Sequence, residues 1–120
     1  KWFDQGFRSA KVKVGGNVDA DRDRIQAIRE TVGSKMQLRA DANAGYSVED
    51  GIRLAKLLEP FNMQLLEQPV AAEDLAGMAK VRQSTSIPIM ADESIIDYAS
   101  LIAVIKSDSA DIVKLKVMKL

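Results

Sequence analysis

The chain has 120 residues, 47% hydrophobic and 28% charged, and its 17 basic side chains balance 17 acidic ones to a net charge of zero. That balance carries no electrostatic footprint of a nucleic-acid or anionic-membrane partner, and no apolar run approaches the roughly 20 residues of a membrane-spanning helix. Cysteine and histidine are both absent, so disulfides, thiol chemistry and imidazole catalysis are excluded, and a general base must be Lys, Asp, Glu or Tyr.

With no secretory signal pattern, a cytoplasmic setting is expected. The chain opens on Lys1 in KWFDQGF, which reads as the last turn of a helix closed by Gly6, with Trp2 and Phe3 as core residues. It stops at Leu120, just after a strand-like run, so a segment of a longer chain is expected.

The first clear element is SAKVKVGG, in which lysine and valine alternate at the period of a strand. Lys11 and Lys13 share one face of it, and Gly15 and Gly16 read as turn residues. Residues 19–32 follow as a helix, with Ile25, Ile28 and Val32 on one side and Gly33 as its stop. A second strand, in MQLRADANAG, ends on Asp41. The next helix, 47–59, starts on Ser47 with Asp50 three residues on, a pattern resembling a capping box. It aligns Ile52, Ala55 and Leu58 and leaves at Pro60. Tyr46, just before it, reads as a loop-shaping residue.

MQLLEQPV is the third strand, ending on Glu67. Helix 73–83 groups Leu75, Met78 and Ala79. IPIMADES is the fourth strand, ending on Asp92. Helix 97–106 groups Leu101, Ile102 and Ile105. DIVKLKVM is the fifth strand, with Lys114 and Lys116 on one face.

From Lys13 through Asp41, Glu67 and Asp92 to Lys116 the steps are 28, 26, 25 and 24 residues, each about one strand, one helix and two short loops. Strands alternating with helices at this step predict a parallel α/β sheet with right-handed crossovers. VGGNVD lacks the G-x-G-x-x-G spacing of a dinucleotide-binding sheet. Charged residues at five successive strand ends instead match the catalytic rim of a (β/α)8 barrel. A whole barrel takes about 250 residues, so this is roughly half of one.

Three carboxylates converging on one rim repel unless a cation sits among them, and Mg2+ suits an all-oxygen site that leaves room for substrate. If the first run is the second barrel strand, the last is the sixth, and Lys13 and Lys116 face each other across that metal. A neighbouring ammonium and a divalent cation are expected to lower a lysine's pKa and make it a base. The metal would hold a substrate carboxylate and stabilise the enediolate formed as the α-proton leaves.

Taken in order, KVKVGG, RADANAGYS, LLEQPV, PIMADES and DIVKLKVMK resemble the barrel domain of the enolase superfamily in its muconate lactonizing enzyme subgroup, over nearly the whole chain. A Lys or His base working with Mg2+ on an enediolate is the known chemistry of that superfamily. The resemblance implies a partial (β/α)8 TIM-type barrel in which residues 1–120 supply the second to sixth strands and four helices, without the cap domain and the last strands. It implies Asp41, Glu67 and Asp92 as Mg2+ ligands with Asn43 in support. It implies Lys13 and Lys116 as acid/bases, Lys11 as the residue tuning Lys13, and Glu93 as support for Lys116. Lys114 stands where many members have an uncharged residue, and pairing with Glu93 or solvation is expected of it.

The implied function is Mg2+-dependent removal of a proton α to a carboxylate by an isomerase. It would be a racemase or epimerase, or a cycloisomerase, of the dipeptide epimerase or muconate cycloisomerase kind. The alternatives are a lyase of the dehydratase or o-succinylbenzoate synthase type, and a fragment inactive alone that only self-associates. The expected partners are a small carboxylate substrate and further copies of the chain in a homo-oligomer, with no nucleic acid and no membrane.

Overall fold

The structure is a computed structural model and describes residues 3–119; Trp2, expected in the core, lies outside them. Five strands, β1 (Ser9–Lys13), β2 (Gln37–Asp41), β3 (Met63–Glu67), β4 (Ile89–Ala91) and β5 (Ile112–Val113), form one parallel sheet in sequence order. Four helices connect them: α1 (Val18–Val32), α2 (Val48–Leu58), α3 (Leu75–Ser84) and α4 (Tyr98–Lys106). The sheet is an arc with the helices on its outer side.

Local chemistry starts each helix where capping predicts. Asn17 accepts from the Ala20 N–H, Ser47 from Asp50, Asp74 from Gly77 and Asp97 from Ser100; the last is a full capping box. Gly33 closes α1 with φ +79°, and Glu59–Phe61 leaves α2 as a 3-10 turn containing Pro60. At the chain's start, Gly6 returns an N–H to the Phe3 carbonyl, one turn at φ +99°.

The core lies between the sheet's outer face and the helices. Val12, Leu38, Ala40, Leu66, Ile89 and Ala91 meet Ile25, Leu54, Leu58, Met78, Val81 and Val104 there, all of them buried. Phe3, Ile28, Val32, Ile52 and Leu101 pack at its margin. The expected inner face of α4 is corrected. Val104 is its buried residue and Leu101 packs at the core margin, while Ile102 and Ile105 are 50% and 65% exposed.

The fifth strand is shorter than expected. Its ladder ends at Val113, and Lys114 extends it by one bond to the Ala91 carbonyl before the chain turns into a 3-10 segment, Val117–Lys119. Lys116 therefore stands beyond the strand rather than on it.

One irregularity sets the sheet's phase. Leu38 pairs with Met63, but Arg39 pairs with Leu65, so Gln64 is an extra residue in β3. Met63 and Leu66 both belong to the outer core although they are three positions apart. Leu65 and Glu67 face the concave side with Ser9, Lys11, Arg39, Met90 and Lys114, around a groove of about 360 Å3. Such a bulge shifts side-chain phase without breaking the sheet.

Candidate active site

The carboxyl ends of the strands bring acids to one rim. Lys13 pairs in register with Asp41, and Asp41 with Glu67. Asp92 follows β4 directly. Asp41, Glu67 and Asp92 are only 1%, 2% and 4% exposed. Buried carboxylates are tolerated only when charge and hydrogen bonds compensate them, and here lysines do so in a row.

Lys13 Nζ donates to Asp41 Oδ2 at 2.7 Å and to Asn43 Oδ1 at 2.9 Å. Lys11 Nζ bridges Asp41 Oδ2 at 3.5 Å and Glu67 Oε2 at 3.8 Å. Lys114 Nζ bridges Glu67 Oε1 at 2.9 Å and Asp92 Oδ2 at 3.6 Å. Lys116 Nζ reaches Asp92 Oδ2 at 2.9 Å. The lysines of β1 therefore point into the arc, and Lys13 and Lys116 hold the two ends of the acid row.

Several expectations change in detail. Lys114 is paired, but with Glu67 rather than Glu93, because continuing the β5 ladder points it across β4 to the end of β3. Glu93 makes no ion pair with Lys116 among the described residues; its Oε2 faces Asn43 Nδ2 at 3.4 Å. Asn43, held at φ +47°, thus links Lys13 to Glu93, and its N–H also donates to Asp41 Oδ1 at 3.1 Å.

The carboxylates beside Lys13 raise its pKa. The hydrogen bond to Asp41 outweighs desolvation, and the charges of Asp41 and Glu67 add to it. Lys114 is raised too, first by its hydrogen bond to Glu67. Burial pushes the Asp41 carboxyl up, but the Lys13 and Asn43 hydrogen bonds and the charges of Lys13 and Lys11 hold it below the usual carboxylate range. At Asp92 burial again acts upward, and the hydrogen bonds of Lys119 and Lys116 carry it well below that range.

The donor set fits a hard divalent cation. Oxygens of Glu67, Asp92 and Glu93 lie within 4.8 Å of one another, and Glu93 Oε1 is a buried oxygen with no hydrogen-bond partner. Asp41 stands outside this tight group, joined to it through Lys11. An all-carboxylate set suits Mg2+ better than a softer metal.

Sequence reasoning missed three contributors. Lys119 donates to both the carboxylate and the carbonyl of Asp92, each at 2.6 Å; its i+3 relation to Lys116 across a 3-10 turn was the available signal. Gln68, fully buried, ties β3 to the loop after β4. Asp21, 2% exposed, accepts from the Gly15 and Gly16 N–H groups and from the Tyr46 hydroxyl. Tyr46 is thereby a loop-shaping residue as expected; burial, and then the Asp21 hydrogen bond, push its phenol pKa up. Gly15 adopts φ +115° and packs its backbone against the Ala42 carbonyl, where a side chain has no room.

Among the described residues no helix is long and apolar enough to cross a membrane. The D-Ala-D/L-Ala epimerase of Cytophaga hutchinsonii is 44% identical over 114 residues, 95% of this chain and 31% of that protein. A crystal structure of the dipeptide epimerase from that organism, complexed with Mg and the dipeptide D-Ala-L-Val, superposes with a TM-score of 0.91 at 43% identity, over 94% of this chain and 31% of that one. The L-Ala-D/L-Glu epimerase of Bacillus subtilis is 40% identical over 121 residues, 98% of this chain and 33% of that protein, and its substrate-liganded structure has a TM-score of 0.94. The o-succinylbenzoate synthase of Thermobifida fusca is 38% identical over 118 residues, 96% of this chain and 37% of that protein. The chain spans about a third of the length of these relatives. With its five-strand parallel arc, its charged rim and a match to the family description over residues 1–120, the chain belongs to the enolase C-terminal domain-like family.

Proposed function

We propose that this chain supplies the cation site and both acid–base groups of an enzyme that inverts the carbon α to a carboxylate, with a dipeptide as substrate class. The observation that carries the reading is the placement of Lys13 and Lys116 on the two outer acids of one buried carboxylate row. Relatives that are epimerases of dipeptides support the substrate class. Glu67, Asp92 and Glu93, with Asp41 beside them, would hold Mg2+, which supplies the positive charge that acidifies a proton α to a bound carboxylate.

The lysines do the proton work. Each starts as an ammonium bound to a carboxylate. Lys13 takes a proton only as the neutral amine, after it has left Asp41 and given one proton to solvent, and Lys116 likewise after leaving Asp92. A lysine still held is the acid that returns a proton from its own side. Two such groups on different faces of one carbon invert it. Asn43 keeps Lys13 aimed while Asp41 is free.

Solvent deuterium exchange by the complete gene product tests this. Lys116→Ala should abolish inversion yet leave Lys13 exchanging deuterium into one epimer, and Lys13→Ala should give the mirror result. Near-parental inversion by either variant would refute the two-base scheme. The identity to an o-succinylbenzoate synthase favours a second, one-base reading. Loss of activity in Lys116→Ala with none in Lys13→Ala would select it.

A further inference from the structure

Gln68 lies between a candidate cation ligand and a proline, and has no solvent exposure. Its backbone is left-handed, φ +39°, which is uncommon for a residue with a side chain and persists only where surrounding contacts impose it. Its N–H donates to the Met90 carbonyl at 2.8 Å, and its carbonyl accepts from Ala44 at 2.8 Å. The side chain turns toward the loop after β4. Oε1 accepts from the Asp92 N–H at 3.0 Å and the Ser94 N–H at 3.1 Å. Nε2 donates to the Val70 carbonyl at 3.0 Å and to Ser94 Oγ at 2.8 Å, and the Ser94 hydroxyl donates to the Ala72 carbonyl at 2.7 Å.

Every polar atom of this amide is used, and its orientation is set: reversing it would aim an NH2 at two N–H donors. One residue therefore ties the loops after β2, β3 and β4 together, covalently next to Glu67 and hydrogen-bonded to the backbone of Asp92. We propose that Gln68 is a positioning residue that holds Glu67 and Asp92 at one separation and so makes the cation site selective for Mg2+ over Ca2+. The inference rests on the cation reading above. Mg2+ demands near-octahedral oxygens at about 2.0–2.1 Å, whereas Ca2+ accepts looser geometry at about 2.3–2.6 Å. A rigid frame discriminates between them, and a loosened frame does not.

The test is calorimetric titration of the complete gene product with Mg2+ alone and Ca2+ alone, beside thermal melting of the metal-free protein. Gln68→Met keeps the volume and removes both hydrogen-bonding ends. It should raise the Mg2+ Kd by about 10–100-fold, the usual effect of losing a ligand-orienting partner, with a clearly smaller change for Ca2+. A residue with only a structural role would lower the melting temperature and leave the Kd of the folded protein unmoved. An Mg2+ Kd within about twofold of the parent, or equal weakening for both ions, would overturn the proposal. Should Gln68→Met not fold, Ser94→Ala removes one partner of the amide and should shift the Mg2+-to-Ca2+ ratio in the same sense; an unmoved ratio would overturn it equally. Glu67→Gln separates the two readings. Unchanged Mg2+ affinity there defeats the cation site itself, whereas loss there with a parental Gln68→Met defeats this inference alone.

Discussion

Replacing Asp21 by alanine should be among the most costly single changes at the rim. Its carboxylate accepts from Gly15 N at 3.1 Å, Gly16 N at 3.0 Å and the Tyr46 hydroxyl, and faces Arg24 at 3.1 Å. A hydrogen bond to a charged group contributes about 1.5–3 kcal/mol. The three do not add in full, because Gly15 also donates to the Tyr46 oxygen at 2.8 Å and Gly16 can reach water once the loop relaxes. Arg24 is 48% exposed and adds little, but each donor left unsatisfied costs about 1–3 kcal/mol, so Asp21→Ala should cost about 3–5 kcal/mol. Tyr46→Phe, which deletes one donor, should cost about 1.5–3 kcal/mol, and the double variant less than the sum. The control is Asp19→Ala. Its partner Arg53 lies at 2.6 Å, but both side chains are more than half exposed, so the loss should be about 1 kcal/mol or less. Urea unfolding followed by circular dichroism reads all four variants. If Asp21→Ala cost no more than Asp19→Ala, the reasoning from burial would be refuted. Arg24 also donates to the Lys13 carbonyl at 2.6 Å, so the same variant should lower kcat.

Arg29 donates to the carbonyls of Gly33, Met36, Phe61 and Asn62 and so joins α1 to the turns before β2 and β3. Arg29→Lys loses that planar fork and should destabilise by about 2–3 kcal/mol in urea, with the Lys13 and Lys116 exchange rates unmoved. Asp41 and Asp92 are held below the ordinary carboxylate range, so the stability they contribute is complete above the unfolded pKa of about 4 and is lost as pH falls toward their folded values. Urea midpoints measured from pH 6 downward should fall below about pH 4, and Asp41→Asn should flatten that fall; an unchanged slope would remove Asp41 from the account.

The strands are legible in the sequence because the helices cover one face of each and charge occupies the other, so alternation survives in KVKV and the acids fall at regular steps. Helix starts are legible through Ser47 and the acids that cap first turns. The exposed flank of α4 is not, since Ile102 and Ile105 have the composition of a buried face and only the arrangement of elements distinguishes them. Asp21 sits in DADRDR, a run that reads as a solvated helix start; its burial comes from Tyr46, 25 residues away. The hold of Asp41 on Lys13 is not legible either: Lys11 is visible in sequence as its neighbour, whereas the hydrogen bond to Asp41 forms only on folding. Lys114 meets Glu67 instead of Glu93 for the same reason: a side chain's partner across three strands depends on register, which alternation alone leaves open.

The extra residue at Gln64 makes β3 a strand whose chemistry depends on parity. Counting two by two from Met63, Glu67 would stand with the helices and Leu66 in the groove; one inserted position reverses that and delivers the acid to its neighbours. The identity of residue 64 matters little to this, since its side chain accepts from Arg39 Nε at the margin of the arc. Its existence matters a great deal. Deleting one residue between Asn62 and Glu67 would therefore turn the acid toward the helices, whereas exchanging the side chain at 64 would leave it facing its neighbours.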